Sequence, residues 1–345
     1  MYLASVFLFF ICIAIISGYD IMKTSNFRRV VTISMKSKVT VFGSYVVDLM
    51  ARAPHLPRPA ETVRGTMFKM GAGGKGFNQC VAAHKAGADV VMVAKFKDDE
   101  FGKIALNTMD TLGMPRDYLL LTEEADTGTA VILVDEETGQ NEIIITPAAN
   151  DTITPEEIDR LEDRIAESEY LLLQLEVNQD ANERIADLAV KHGCKLIVNT
   201  APYSPLSDEF LSKAYMITPN EVEAEQLCGI PVVDEASAKQ AAAYFRNKGV
   251  DVVVITMGKL GVFISDGSRE ELVPAFSVKA VDTTGAGDAF NGGLLTALSE
   301  GKDLWEGARF AQALAALSVQ KIGTTPSMPT REEIDAFLAQ QEKGE

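Results

Sequence analysis

From residue 39 onward, short runs of β-forming residues alternate with stretches of helical period, and this constrains the fold more than any other feature. The runs are Val39–Phe42, Asp89–Lys95, Tyr170–Leu175, Lys195–Asn199, Tyr215–Thr218 and Asp251–Thr256. Their apolar residues are continuous rather than alternating, which predicts strands buried on both faces, as in a parallel sheet covered by helices. Helix signals lie between them. Thr154-Pro155-Glu156-Glu157 is a capping box with Pro at the first helical position, and Ile158, Leu161 and Ile165 follow on one face. The expected class is therefore α/β, with a doubly wound, mostly parallel sheet flanked by helices. Two stretches break the rhythm. Val46–Phe68 and Thr127–Thr146 are rich in β-formers, the second with a turn at Glu136-Glu137-Thr138-Gly139, and both read as hairpins. Neither fits inside a parallel sheet, so together they predict a small antiparallel β lid over the site.

At 345 residues the chain can build one large α/β domain with an appendage, or two modest domains. A net charge of −17 argues against a nucleic-acid partner, which would require a basic stripe. Cys12, Cys80, Cys194 and Cys228 lie far apart and form no CxxC pair, so a reducing, cytoplasmic setting is expected, without a zinc site or disulfide framework. With only three histidines, at 55, 84 and 192, proton transfer is expected to rest on a carboxylate.

Residues 1–34 stand apart. Tyr2 to Ser17 is nearly unbroken apolar sequence with no Lys or Arg before it, short for a membrane span and without the basic flank of a signal peptide. Met35-Lys36-Ser37-Lys38 reads as a start, directly before the first strand. The expectation is an extension arising from translation upstream of the true start, with a membrane anchor, and hence membrane contact, as the alternative. The functional domain is taken as 35–345.

Two glycine clusters carry the chemistry. In the first, Gly71-Ala72-Gly73-Gly74-Lys75-Gly76-Phe77-Asn78-Gln79 follows the strand-like Thr66–Met70 and opens a helix at Phe77–Ala86. It contains Gly-x-Gly-x-x-Gly, with Asp89 downstream, so an NAD-binding oxidoreductase is one rival reading. The second, Asp282-Thr283-Thr284-Gly285-Ala286-Gly287-Asp288, runs from an expected strand at Val278–Val281 into the apolar helical stretch Ala289–Leu298. Free N–H groups and the helix dipole make such a start an anion site, and glycines admit phosphate oxygens to the backbone. A carboxylate beside a phosphate is unfavourable unless it has a task, and taking the proton of an attacking hydroxyl is that task for Asp288. Taken alone, an Asp in a first helical turn is an ordinary cap. A binding module without catalysis is the third reading, and it would have no use for Asp288.

Together the clusters resemble the signatures of the ribokinase family of carbohydrate kinases, also named for a minor phosphofructokinase. The likeness extends in register from Met35 to Leu338 and takes in Gly43-Ser44 with Asp48, Gln174-Leu175-Glu176, Thr218-Pro219-Asn220-Glu221-Val222-Glu223 and Thr256-Met257-Gly258. It implies a ribokinase-like fold and transfer of the ATP γ-phosphate to the 5-hydroxyl of D-ribose, with 2-deoxyribose or another sugar as alternatives. By the same resemblance, Asp288 is the base, and the amides of Gly285, Ala286 and Gly287 stabilise the transferring group. Val46, Asp48, Gly74, Lys75, Gly76, Asn78 and Glu176 surround the sugar. Asn220, Thr256, Met257, Gly258, Lys259, Gly261, Gly287 and Gln312 line the ATP site. Glu223 organises Mg²⁺ through water, and Asp282, Thr284, Ser318, Lys321, Gly323 and Ser327 hold an activating K⁺. A homodimer through the lid is implied as well. One position departs from the pattern: ribose-specific members carry Asn where this chain has Val46, which cannot hydrogen-bond, and this keeps 2-deoxyribose in contention.

Overall fold

The computed structural model describes residues 37–344, and the extension expected at 1–34 lies outside them. The strands are β1 (Lys38–Phe42), β2 (Val46–Ala53), β3 (Met67–Gly73), β4 (Asp89–Val93), β5 (Lys95–Phe96), β6 (Leu120–Leu121) and β7 (Gly128–Asp135). They continue as β8 (Asn141–Thr146), β9 (Tyr170–Leu173), β10 (Lys195–Val198), β11 (Met216–Ile217), β12 (Val252–Thr256), β13 (Val262–Ser265) and β14 (Glu270–Val273). The α-helices are α1 (Lys75–Lys85), α2 (Gly102–Leu112), α3 (Pro155–Asp159), α4 (Glu162–Glu167), α5 (Gln179–His192) and α6 (Asp208–Lys213). After them come α7 (Glu221–Cys228), α8 (Glu235–Asn247), α9 (Ala286–Ser299), α10 (Leu304–Ser318) and α11 (Arg331–Gly344).

An eight-stranded sheet in the order β14-β13-β12-β11-β10-β9-β1-β4 forms the centre. The six strands from β12 to β4 run parallel, and they are the six apolar runs of the sequence. Successive side chains divide between two apolar layers: Tyr170 and Leu172 face α1, α2 and α9–α11, whereas Leu171 and Leu173 face α3–α8. Burial on both faces is why these runs read as continuous. Strands β13 and β14, not singled out in the sequence, extend the edge antiparallel.

The lid is a separate four-stranded sheet in the order β3-β2-β7-β8. It is not wholly antiparallel as expected: β2 and β7 pair in parallel from Val46↔Gly128 to Ala53↔Asp135. The chain passes through α1, β4 and α2 between them, and such a crossover brings two strands together in the same direction. The antiparallel pairs are β2–β3 and β7–β8. Helix α1 starts at Lys75, two residues before the expected point, because β3 extends through Gly73.

Two further expectations are corrected. The capping box at Thr154 is formed, and Ile158, Leu161 and Ile165 are buried, but the helix breaks between Asp159 and Glu162 into α3 and α4. The strand expected at Val278–Val281 does not form. Val281 and Asp282 instead donate their N–H groups to the Val319 carbonyl just past α10, at 2.7 and 3.1 Å. The β-formers Phe276 and Val278 pack into the core beside the sheet rather than within it.

Candidate active site

The carboxyl ends of β1, β9, β10, β11 and β12 lead into Gly43-Ser44, Gln174–Glu176, Asn199, Thr218–Asn220 and Thr256-Met257, at the edge where open α/β sheets bind ligands. The starts of α1 and α9 meet these loops. Asp288 is the third residue of α9 and is only 7% exposed. Its Oδ2 accepts from Asn78 Nδ2 and its Oδ1 from Gln79 Nε2, both at 3.0 Å. Burial raises its pKa, against the opposing effects of the Lys75 charge and the two amide donors, and Glu176 pushes it further up. A buried carboxylate held by donors yet raised in basicity suits a general base.

Gly285 caps α9 in the left-handed region, at φ 78°, a conformation glycine adopts without strain. The Ala286 N–H closes a turn on the Thr283 carbonyl at 3.2 Å, so this expected donor already has an acceptor. Gly287 is exposed in the first turn, with no atom within 4 Å of where a Cβ would stand. Donors in that turn have no intrahelical acceptor, so its amide is free to meet an anion. A cavity of about 170 Å³ joins Lys75, Asn220, Glu223, Thr283, Gly285–Gly287 and Asp288.

On the acceptor side, the Glu176 carboxylate accepts from the Ser44 hydroxyl at 2.6 Å and the Lys75 N–H at 2.9 Å. Asp48 lies across Gly73 and accepts from the Thr324 hydroxyl at 3.3 Å. Burial pushes Asp48 up to about 6 against that bond, and repulsion from Glu176 and Asp288 adds to the rise. Burial alone would lower Lys75, but Asp288, Glu176 and Glu223 outweigh it and hold the ammonium charged. Val46 is buried and points to the same face of β2 as Asp48, with a methyl group over Gly128. Gly76 is buried against the Gly43-Ser44 backbone. A cleft of about 610 Å³ opens beyond Asp48 and is lined by Met50, Arg52, Ile132, Asp282, Thr284 and Thr324, among others.

A groove of about 430 Å³ shares Asn220, Thr256, Thr283, Ala286 and Gly287 with the central cavity and runs along Gly258, Lys259, Gly261, Phe276 and Gln312. Gln312 donates its Nε2 to the Val273 carbonyl at 3.0 Å, while its buried Oε1 has no partner among the described residues. Met257 does not line the groove: it continues the alternation of Val253 and Ile255 into the core and is 3% exposed. Asn220 and Glu223 close a reciprocal capping box at α7, with bonds of 2.8 and 2.9 Å. Burial raises Glu223, opposed by the Asn220 N–H and the Lys75 charge.

Although burial pushes Asp282 up, N–H groups of Gly323 and Thr284, both at 3.0 Å, hold its carboxyl below the usual range, and Arg52 lowers it further. These bonds tie the 282–284 turn to Gly323. Ser318 and Ser327 give their hydroxyls to nearby carbonyls, of Ala315 at 2.8 Å and Thr324 at 2.7 Å, and Lys321 turns its ammonium to Glu333. From these three residues a cation could meet only backbone oxygens or hydroxyl lone pairs.

Thr324 and Arg52 carried no signal in the sequence. Gln79 ends the first cluster, where the sequence alone assigns it no role.

Residues 36–331 match the model of the pfkB family carbohydrate kinases. A ribokinase of Haemophilus influenzae is 41% identical over 304 residues, covering 88% of this chain and 99% of that protein. A deoxyribokinase of Salmonella typhi is 34% identical over 305 residues, with 88% and 99% covered. The crystal structure of Arabidopsis thaliana ribokinase complexed with ribose and ATP superimposes with a TM-score of 0.81 at 30% identity, covering 88% of this chain and 99% of that one.

Proposed function

This chain belongs to the pfkB family of carbohydrate kinases, and from that premise we propose that it is an ATP-dependent pentose kinase that phosphorylates the 5-hydroxyl of D-ribose. The observation that carries the reading is Asp288, buried and fixed by two amides in a cavity that takes in the open start of α9 and shares its wall with a nucleotide-sized groove. Asp48, Asn78, Glu176 and Lys75 offer acceptors and donors to the sugar hydroxyls. Asp288 takes the proton of the 5-hydroxyl as its oxygen attacks the γ-phosphorus, and the bond to the ADP oxygen breaks. The Gly287 amide and Lys75 face the charge that develops on the transferring group. The partnerless Gln312 Oε1 in this groove would accept from the amino group of adenine.

No three or more of His, Cys, Asp and Glu cluster as a metal site among the described residues. That fits Mg²⁺ carried mainly by nucleotide phosphates, with Glu223 reaching it through water. Bound there, Mg²⁺ would neutralise phosphate charge. The Asp282 turn and the 318–327 segment would hold K⁺ largely through carbonyl oxygens, fixing the turn before Gly285 in its donor-forward shape. The lid face opposite Asp48 exposes Phe68, Met70, Val131 and Ile144, at 65, 53, 39 and 69%, and a second copy covering it gives the homodimer. A cytoplasmic location accords with the unpaired thiols of Cys80, Cys194 and Cys228.

Val46 supports a second reading, 2-deoxyribose, since an apolar wall leaves no buried donor unpaired when the 2-hydroxyl is missing. One assay series tests both. ADP release with ATP and Mg²⁺ is followed across a panel of pentoses and hexoses in Na⁺ and K⁺ buffers, for wild type and Val46→Asn. A pentose-stimulated rate, higher in K⁺, is expected, and Val46→Asn should move preference toward ribose by about 1–3 kcal/mol, one buried hydrogen bond. Absence of pentose-stimulated ADP release overturns the function. Equal rates in Na⁺ and K⁺ remove the potassium site. A strong ribose preference that Val46→Asn leaves untouched removes Val46 from sugar recognition.

A further inference from the structure

The bonds around Asp288 form one continuous buried chain of amides that reaches well beyond any substrate. Asn199 donates Nδ2 to the Thr218 carbonyl at 2.9 Å. A carbonyl only accepts, so the other end of that amide, Oδ1, must face Gln79 as an acceptor. Gln79 Nε2 answers it at 3.0 Å and gives its second proton to Asp288 Oδ1 at 3.0 Å. The Gln79 oxygen is taken by Gln174 Nε2 at 2.7 Å, which adds to the hold on the Gln79 amide. Gln79 and Gln174 are both fully buried, so neither meets the sugar or the nucleotide. Both protons of the Gln79 amide are thus committed, one of them to the carboxylate.

We propose that Gln79 is a positioning residue for the base: locked by Gln174, Asn199 and Thr218, it fixes the plane of the Asp288 carboxylate and holds it ionised despite burial. The proposal rests on Asp288 being the base. Asn78 supplies the matching bond to Oδ2 but also borders the acceptor site, so Gln79 isolates the positioning effect from sugar contact. A donor to the charged form favours that form, whereas burial favours the protonated acid. The charged groups facing Asp288 from neighbouring elements are Lys75 on α1, Glu176 after β9, Asp48 on β2 and Glu223 on α7, and replacing Gln79 leaves all four in place. Loss of the donor therefore raises the pKa of Asp288, and the acidic limb of the pH–kcat profile moves to higher pH.

The test is Gln79→Met, similar in size but without donors. The expected result is a roughly tenfold to hundredfold fall in kcat at pH 7, the worth of one hydrogen bond to a charge. The acidic limb should rise by on the order of one pH unit, while KM for sugar and for ATP stays near wild type. Gln174→Met, which only loosens the hold on Gln79, should shift the limb the same way by less, and it decides the matter if Gln79→Met does not fold. A folded Gln79→Met, or in its absence Gln174→Met, with an unmoved acidic limb overturns the proposal. Asp288→Asn run alongside separates the two readings: if it keeps full kcat the base assignment falls, whereas an inactive Asp288→Asn beside an unshifted glutamine variant overturns the positioning role alone.

Discussion

Helices α1 and α9 both begin after a glycine at positive φ, Gly74 at 91° and Gly285 at 78°, and both point their first turns at the same site. Their N-termini are nonetheless opposites. At α1 two of the first three N–H groups are spent within the protein, outside the helix: Lys75 N–H goes to Glu176 at 2.9 Å and Phe77 N–H to the Ser44 carbonyl at 3.0 Å. A Cβ on Gly74 would lie 2.9 Å from the Ser44 oxygen and the Val46 nitrogen. At α9 a Cβ on Gly287 would meet nothing within 4 Å beyond its chain neighbours and the helix's own backbone. A Gly-rich turn before a helix is thus an anion site only where its amides are unspent and the approach is open. The first cluster joins lid to core and orients acceptor-side groups. The second leaves the Gly287 amide open.

Exchanging Gly287 and Gly74 for alanine should break the symmetry of the sequence most visibly. Gly287→Ala adds a methyl group where only a ligand would meet it, so thermal stability should hold while kcat/KM for ATP falls by about 10²-fold, the cost of displacing a reacting group by an ångström. Gly74→Ala forces a positive φ and a backbone clash, so it should destabilise the fold by roughly 1–3 kcal/mol in thermal or denaturant unfolding. Unchanged kinetics in Gly287→Ala would mean the open N-terminus of α9 is not where phosphate sits.

A gentler prediction uses charge. The acceptor side is lined with carboxylates, and Asp48 is pushed by burial up to about 6. In the proposed reading its ionised form accepts from sugar hydroxyls, and as pH falls through 6 it would protonate and lose part of that capacity. KM for the sugar should therefore rise several-fold between pH 7 and 5, while KM for ATP, bound against amides and Lys75, changes less. The Asp48→Asn variant should flatten the sugar dependence. Equal pH sensitivity of the two KM values would erase the distinction between a carboxylate side and an amide side.

What the sequence disclosed follows the range of the interactions involved. The six parallel strands were legible because burial on both faces leaves a continuous apolar run. The helix start with Asp288 in its first turn was legible because glycine, helix start and carboxylate are consecutive residues. The parallel pairing of β2 with β7 was not, because it depends on where a crossover returns the chain. The strand expected before Asp282 failed because Phe276 and Val278 satisfy the same apolar pattern by packing against the core without a ladder. The support beneath Asp288 was invisible for the plainest reason: Gln79 and Asn199 are 120 residues apart, and an amide in isolation announces nothing about its partner.

The central claim is that Asp288 deprotonates a pentose hydroxyl at the junction of the two helix starts. It is tested most directly by following the products of ATP and D-ribose by ³¹P and ¹³C NMR, with wild type and with Asp288→Asn, alongside calorimetric binding of each substrate. The account predicts phosphate on the C5 oxygen with wild type. With Asp288→Asn it predicts near-native binding of ribose and nucleotide and turnover lower by roughly 10²–10⁴, the usual worth of a general base. Product formed by Asp288→Asn at the wild-type rate, or phosphate found on another oxygen, would contradict it.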